Sequence, residues 1–130
     1  MNKPCVLISR CILGVPCRYH GKTHRMGHRI GRPGLVARLR KRYTLIDVCP
    51  EVDAGLPVPR PQTRIIGDRW ICDGEDITQA FALGRLLTLV AAHTHRCHRA
   101  YMLRGSPACD PETGMTGKAL REQGLTVIRV

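Results

Sequence analysis

Three short apolar runs constrain the fold of this chain more than any other feature. They cover residues 6–8, 45–48 and 100–103. Runs of this length, bounded by Gly, Pro and Ser, are typical of strands buried inside a parallel sheet. Patterns with helical spacing lie between them, so we expect strands and helices to alternate along the chain.

The full pattern predicts a single α/β domain over residues 1–130. Strands are predicted at 3–9, 43–48, 100–103 and 125–130, helices up to about 41, at 80–95 and at 116–123, and a β-hairpin at 64–71. This order predicts a mostly parallel sheet flanked by helices, with the small hairpin inserted between the second strand and the second helix. Residues 11–28 and the proline-rich residues 50–61 are predicted to be loops.

A cysteine follows each of the three apolar runs, at Cys11, Cys49 and Cys109. The carboxyl ends of parallel strands line one crevice, so we expect these thiols to lie close together. Three thiolates that leave one coordination position open are typical of a metal centre that contacts its substrate. Cys5 and Cys72 lie inside strand patterns and are predicted to be small buried apolar residues.

Seven cysteines with these spacings do not resemble a secreted disulfide framework. The first strand begins without a preceding secretory segment, and no apolar stretch approaches the roughly 20 residues of a membrane span. We therefore expect a cytoplasmic protein. His93 and Cys97 are spaced i, i+4 and could share one face of a zinc site, or they form the polar end of a helix.

The charge of the chain is concentrated in its first third. Residues 1–46 contain eleven Lys and Arg and no acidic residue, and the formal net charge of the whole chain is +11. Such a surface attracts polyanions, above all nucleic acid, or it is a solvated basic face that only aids solubility. With one Trp, one Phe and three Tyr, a stacking platform for single strands is not expected.

Three separated motifs resemble those of the thiouracil desulfidase-like proteins, a family long catalogued as a domain of unknown function. They are Cys-Ile-Leu-Gly-Val-Pro-Cys-Arg-Tyr-His-Gly at 11–21, Cys-Pro-Glu-Val-Asp-Ala-Gly-Leu-Pro-Val-Pro-Arg at 49–60 and Gly-Ser-Pro-Ala-Cys at 105–109. The resemblance covers essentially the whole chain. It implies an oxygen-sensitive 4Fe-4S cluster held by three cysteines, whose fourth iron takes the sulfur of a thiolated nucleobase. The sulfur is then released as hydrogen sulfide without a net redox step.

Transferred to this chain, the resemblance implies that the cluster ligands are Cys11, Cys49 and Cys109. Cys17 matches the other motif cysteine of the family and is expected near the cluster, on the substrate side. The chain departs from the family in having His20 in place of Asp, Asp110 in place of Gly and Ala54 in place of Gly.

The remaining candidate site residues are an acid, a hydroxyl and several cations. Glu51 follows a ligand by two residues and is expected to activate water, although it could instead cap the next turn or pair with Arg60. Ser106 is expected to hydrogen-bond the base ring or a cluster sulfide, or only to shape a Ser-Pro turn. Arg18, Arg60 and Arg104 are candidate anchors for substrate oxygens, or plain surface charges.

Three functions are therefore compatible with the sequence. The first is desulfuration of a small thiolated pyrimidine base such as thiouracil. The second is desulfuration of a thiolated base within tRNA, suggested by the basic residues 1–46. The third is a metal-sensing or redox-sensing module that binds nucleic acid without catalysis. Sulfide release from a free base would indicate the first function, and sulfide release only from RNA the second. RNA binding without sulfide release would indicate the third.

Overall fold

The structure is a computed structural model that describes residues 3–25 and 28–130. Its strands are β1 (Cys5–Ser9), β2 (His24–Arg25), β3 (His28–Arg29), β4 (Thr44–Val48), β5 (Thr63–Ile66), β6 (Arg69–Cys72), β7 (Glu75–Asp76), β8 (Arg99–Met102) and β9 (Thr126–Arg129). Its helices are α1 (Pro33–Arg42), α2 (Pro50–Asp53), α3 (Thr78–Thr94) and α4 (Met115–Glu122). No described helix is long and apolar enough to cross a membrane.

Four strands form a parallel sheet in the order β4-β1-β8-β9. The central strand β1 pairs Val6 with Leu45 of β4 and Leu7 with Ala100 of β8. The two central strands β1 and β8 are largely buried, which is why they appear in the sequence as apolar runs. The predicted parallel α/β fold is confirmed, and β4, β1 and β8 are neighbours whose carboxyl ends meet at one edge.

The sheet separates two apolar clusters, because successive side chains of a strand point to opposite faces. Leu7 lies in the cluster that contains Phe81 of α3 and Leu120 of α4. Val6 and Ile8 lie in the other cluster, which includes the buried face of α1. The packing on both faces holds the strand ends in place, so the loops that follow them start from rigid positions.

The predicted hairpin is present and contacts the loop that carries Cys109. Strands β5 and β6 pair antiparallel across a two-residue turn, with Ile66 opposite Arg69, and β7 adds a third short strand that the sequence did not predict. Trp70 of β6 donates its indole N–H to the carbonyl of Pro107 at 2.8 Å. The ring also lies 6.2 Å from that of Phe81, which couples the hairpin to α3.

Two segments predicted to be loops contain short regular elements. Residues 11–28 include most of a 3-10 turn (Arg10–Leu13) and part of the β2–β3 pair, while residues 26 and 27 lie outside the described part of the chain. Residues 50–61 begin with the single turn α2, because a proline with fixed φ suits the first position of a helix. Gly84 of α3 lies against the Pro50 carbonyl, where a Cβ would overlap the backbone.

Candidate active site

Four thiols lie in one crevice at the carboxyl edge of the sheet. Cys11 and Cys17 belong to the loop after β1, Cys49 follows β4, and Cys109 lies in the loop after β8. All four are at most 9 % exposed. The strand order therefore brings together residues that are up to 98 positions apart in the sequence, as expected for a parallel sheet.

The thiols are close enough to affect one another. A hydrogen bond with the Cys11 thiol, together with burial, raises the pKa of Cys17 to about 11, although a hydrogen bond with Cys49 opposes part of this shift. The hydrogen bond with Cys17, followed by burial, raises the pKa of Cys49 far above its usual range. Burial raises the pKa of Cys109 to about 12 against hydrogen bonds with Ser9 and Ser106. These thiols keep their protons at neutral pH unless a bound cation stabilises the thiolates.

The donor set of the crevice fits an iron–sulfur cluster, since its thiols come from three separate loops of the sheet edge. In a cluster, each thiolate binds a different iron, so the ligands need not surround a single point. Soft sulfur donors are also the ligands that iron–sulfur clusters use. The four-thiol crevice thus has the chemistry that such a cluster requires.

The other three cysteines lie away from the crevice. Cys5 and Cys72 are partly exposed strand residues, and Cys97 is buried near the end of α3. His93 and Cys97 line a separate open pocket, but no group of three metal-binding side chains forms there in the described part of the chain. The zinc site and the polar helix end that the sequence left open both stay predictions. All seven cysteines are free thiols.

Glu51 lines the crevice from the first turn of α2 and is buried. Its Oε2 accepts a hydrogen bond from Arg60 Nη2 within a buried ion pair. The pairing with Arg60 that the sequence left open is therefore present, and the carboxylate also lies beside the thiols, while its role as a base stays a prediction. The contact with Arg60 engages Oε2 of the carboxylate.

Arg60 and Arg18 have different positions, although both were candidate substrate anchors. Arg60 is not among the residues that line the crevice, and its side chain is only 4 % exposed. Arg18 does line the crevice and lies over the ring of Tyr19 at 5.9 Å. Arg104 lines a second cleft that shares Arg18 and Leu103 with the crevice.

Ser106 lines the crevice and also shapes the loop that carries Cys109. Its Oγ accepts hydrogen bonds from the N–H groups of Ala108 at 3.2 Å and Cys109 at 3.0 Å. The hydroxyl also interacts with the Cys109 thiol. The turn role and the site role that the sequence left open are therefore compatible in one side chain.

The two departures from the family motifs beside the site support loops and do not line the crevice. The His20 Nδ1 accepts a hydrogen bond from the Lys22 N–H at 2.9 Å. Asp110 is fully buried, and its carboxylate accepts hydrogen bonds from the N–H groups of Gly105, Glu112 and Thr113 and from Arg129. Burial alone would raise the pKa of Asp110, but these donors outweigh it and lower the pKa.

Sequence reasoning missed several residues that line the crevice, among them Ser9, Tyr19, Gln62 and Thr63. Ser9 ends β1, and its Oγ accepts a hydrogen bond from the Leu103 N–H at 3.0 Å. A serine at the end of a strand that precedes a candidate ligand was a usable signal. Nothing local marks Gln62 and Thr63, which reach the crevice because the hairpin packs beside it.

Comparisons with known proteins agree with the motif resemblance. A family model described as 2-thiouracil desulfurase matches residues 6–129. The solved structure of the [4Fe-4S]-dependent thiouracil desulfidase TudS (DUF523Vcz) shares 29 % identity, covers 98 % of this chain and 91 % of its own, and superimposes with a TM-score of 0.83. The uncharacterized protein YbbK of Bacillus subtilis (strain 168) is 26 % identical over 136 residues, which cover 93 % of this chain and 85 % of YbbK. The chain belongs to the 2-thiouracil desulfurase family.

Proposed function

We propose that this protein uses a 4Fe-4S cluster to remove sulfur from a thiolated pyrimidine base such as thiouracil, releasing hydrogen sulfide. The observation that carries the proposal is the crevice that combines four buried thiols with the carboxylate of Glu51. Family membership and the similarity to a thiouracil desulfidase support it. The proposal includes a reducing, cytoplasmic location, which would keep all seven cysteines as thiols.

In this proposal, Cys11, Cys49 and Cys109 hold the cluster because they follow three neighbouring strands of a rigid sheet. When bound, a cluster with one iron free of protein ligands supplies a thiophilic Lewis acid that polarises the carbon–sulfur bond and stabilises departing sulfide. Cys17 forms part of the wall between Cys11 and Cys49, on the substrate side.

Glu51 is proposed to accept a proton from the attacking water at Oε1, since Oε2 is held by Arg60. Ser106 is proposed to hydrogen-bond the ring or a sulfide, and Arg18 to bind a ring oxygen from the crevice wall. The oxygen of water replaces the sulfur, so a C=S bond becomes a C=O bond. Two protons leave with the sulfur as hydrogen sulfide, and nothing is oxidised or reduced.

The test is to incubate protein isolated without oxygen with 2-thiouracil and to quantify uracil and sulfide separately. The proposal predicts equal amounts of both products without an added reductant. Desulfuration that requires a reductant, or no product from a cluster-loaded protein, would overturn it.

A second candidate substrate is a thiolated base within tRNA, and one observation favours it. An open cleft beside the crevice is lined by Arg18, Arg29, Arg32 and Arg104, with no acidic side chain among its described lining residues. This cleft shares Arg18 and Leu103 with the crevice, so a phosphate backbone bound there would lie next to the thiols. Sulfide release from thiolated tRNA but not from the free base would favour this candidate. RNA binding with release from neither would favour the non-catalytic module.

A further inference from the structure

Arg60 is a buried cation that does not line the crevice but contacts residues that do. Its Nη1 donates to the Pro57 carbonyl at 2.9 Å, and its Nη2 contacts the Cys17 carbonyl at 3.4 Å. The same Nη2 donates to Oε2 of Glu51. Its backbone N–H donates to the Tyr19 carbonyl at 2.7 Å. One residue thus joins the loop after β1, the turn α2 and the proline-rich segment.

The burial of Arg60 is not fully compensated by these contacts. Its Nε–H is buried and has no hydrogen-bond partner in the described part of the protein. A buried donor without a partner costs stability. This cost falls on a residue that also contacts the candidate base Glu51.

We propose that Arg60 is a positioning residue that aims the Glu51 carboxylate and holds the Cys17–Tyr19 backbone, and that it does not bind substrate. This inference rests on the function proposed above, in which Glu51 accepts a proton from water. Arg60 binds Oε2, so in the proposed function the water would meet the other carboxylate oxygen. The Arg60 side chain also contacts the Cys17 carbonyl and so links the carboxylate to the Cys17 wall of the crevice.

The chemistry of the guanidinium explains why an arginine suits this position. Its rigid planar fork presents several donors in fixed directions, so one side chain can bind a carboxylate and two carbonyls together. A lysine ammonium at the same place would keep the charge near Glu51 but lose the fixed geometry. The inference therefore predicts that Arg60→Lys recovers only part of what Arg60→Met loses.

The test is steady-state kinetics with 2-thiouracil on anaerobically isolated variants with equal iron content. We expect Arg60→Met to lower kcat at least tenfold with KM within about twofold of wild type, because the substrate contact is intact. The kcat of Arg60→Lys should lie between those of Arg60→Met and the wild type. Arg18→Met, which removes a crevice-lining cation, should raise KM instead. Arg64→Met is the matched control, since Arg64 is exposed and absent from the crevice lining.

A double-mutant cycle with Glu51→Gln shows whether Arg60 acts through Glu51. In the Glu51→Gln background, Arg60→Met should lower kcat by less than about twofold further, since the base it positions is already lost. Removing Arg60 leaves a buried carboxylate without its cation, so Arg60→Met is expected to unfold more easily. If it does not fold, Arg60→Lys serves in the same cycle.

Two results would overturn the inference while the proposed function stands. One is a raised KM with unchanged kcat in Arg60→Met, which would make Arg60 a substrate anchor. The other is independent, multiplying losses in the double mutant. An inactive wild type with a full cluster overturns the proposed function instead. In that case, the contact between Arg60 and Glu51 is tested by thermal unfolding of the wild type, the two single variants and the double variant. If the two substitutions change the free energy of unfolding additively, Arg60 does not act on Glu51.

Discussion

At the scale of residues, the thiols that line the crevice differ from Cys5 and Cys72 in their position in the fold and in their burial. Cys49 and Cys109 follow separate strands, while Cys5 and Cys72 lie within strands and are partly exposed. Burial raises the pKa of the proposed ligand Cys109 to about 12, so iron that binds its sulfur displaces a proton. Loading the site with iron should therefore release protons and become easier as the pH rises.

Serine substitutions test which thiols hold the cluster. Cys11→Ser, Cys49→Ser and Cys109→Ser should each lose it, since a hard hydroxyl is a poor ligand for iron in this role. Cys5→Ser and Cys72→Ser should keep it and are the controls. Iron and acid-labile sulfide per chain, measured without exposure to air, give the answer. A full cluster in any of the first three variants would remove that residue from the ligand set.

Glu51→Gln tests the base. The amide keeps the shape of the side chain and an oxygen for Arg60, but it cannot accept a proton from water. We expect unchanged iron content and substrate affinity with kcat lower by about a hundredfold or more. Full turnover would assign the base to another residue, and loss of iron together with activity would make Glu51 a structural residue.

At the scale of elements, the contact between α2 and α3 holds Cys49 and Glu51 against the core. Gly84 permits this contact because its missing side chain leaves room for the Pro50 carbonyl. Pro50 lies between the candidate ligand and the candidate base. A small displacement of α2 would therefore move both groups relative to the other thiols.

Gly84→Ala should displace α2, because neither backbone can move aside easily. We expect the free energy of unfolding to fall by about 1–3 kcal/mol or more, as in other overpacked sites. Cluster occupancy should fall as well. Gly34→Ala in α1 is the matched control, since a Cβ there meets only the end of the Arg38 side chain at 3.7 Å. Chemical denaturation and iron analysis check both variants, and equal behaviour would contradict the role given to this contact.

The helix α1 carries the exposed cations Arg38, Arg40, Lys41 and Arg42. If the basic residues 1–46 bind RNA, binding should be weak, insensitive to sequence and strongly salt-dependent, with a log–log slope of about 0.7–0.9 per phosphate contact. Reversing the four charges should abolish binding and leave activity on a free base intact. Reversing Arg64 and Arg85, which are exposed outside this segment, is the control. Unchanged affinity after the first reversal would exclude α1 as the binding surface.

At the scale of the whole molecule, the sequence predicts the sheet better than the walls of the crevice. Strands buried on both faces appear as local apolar runs, and their parallel order then brings Cys11, Cys49 and Cys109 together. The single turn α2 is too short to produce a helical period. The position of Arg60 depends on partners 9 and 43 residues away, so the sequence could not distinguish a substrate anchor from a residue behind the wall. Gln62 reaches the crevice only through the docking of the hairpin.

The most direct test of the central claim is metal analysis of protein purified in the strict absence of oxygen. We predict a brown protein with a broad absorption band at about 400 nm and about four iron atoms per chain. Four iron and four acid-labile sulfides would match a cluster held by the thiols of the crevice. A colourless protein loaded with zinc would contradict the claim, because the same thiols would then hold an ion that has no part in the proposed chemistry.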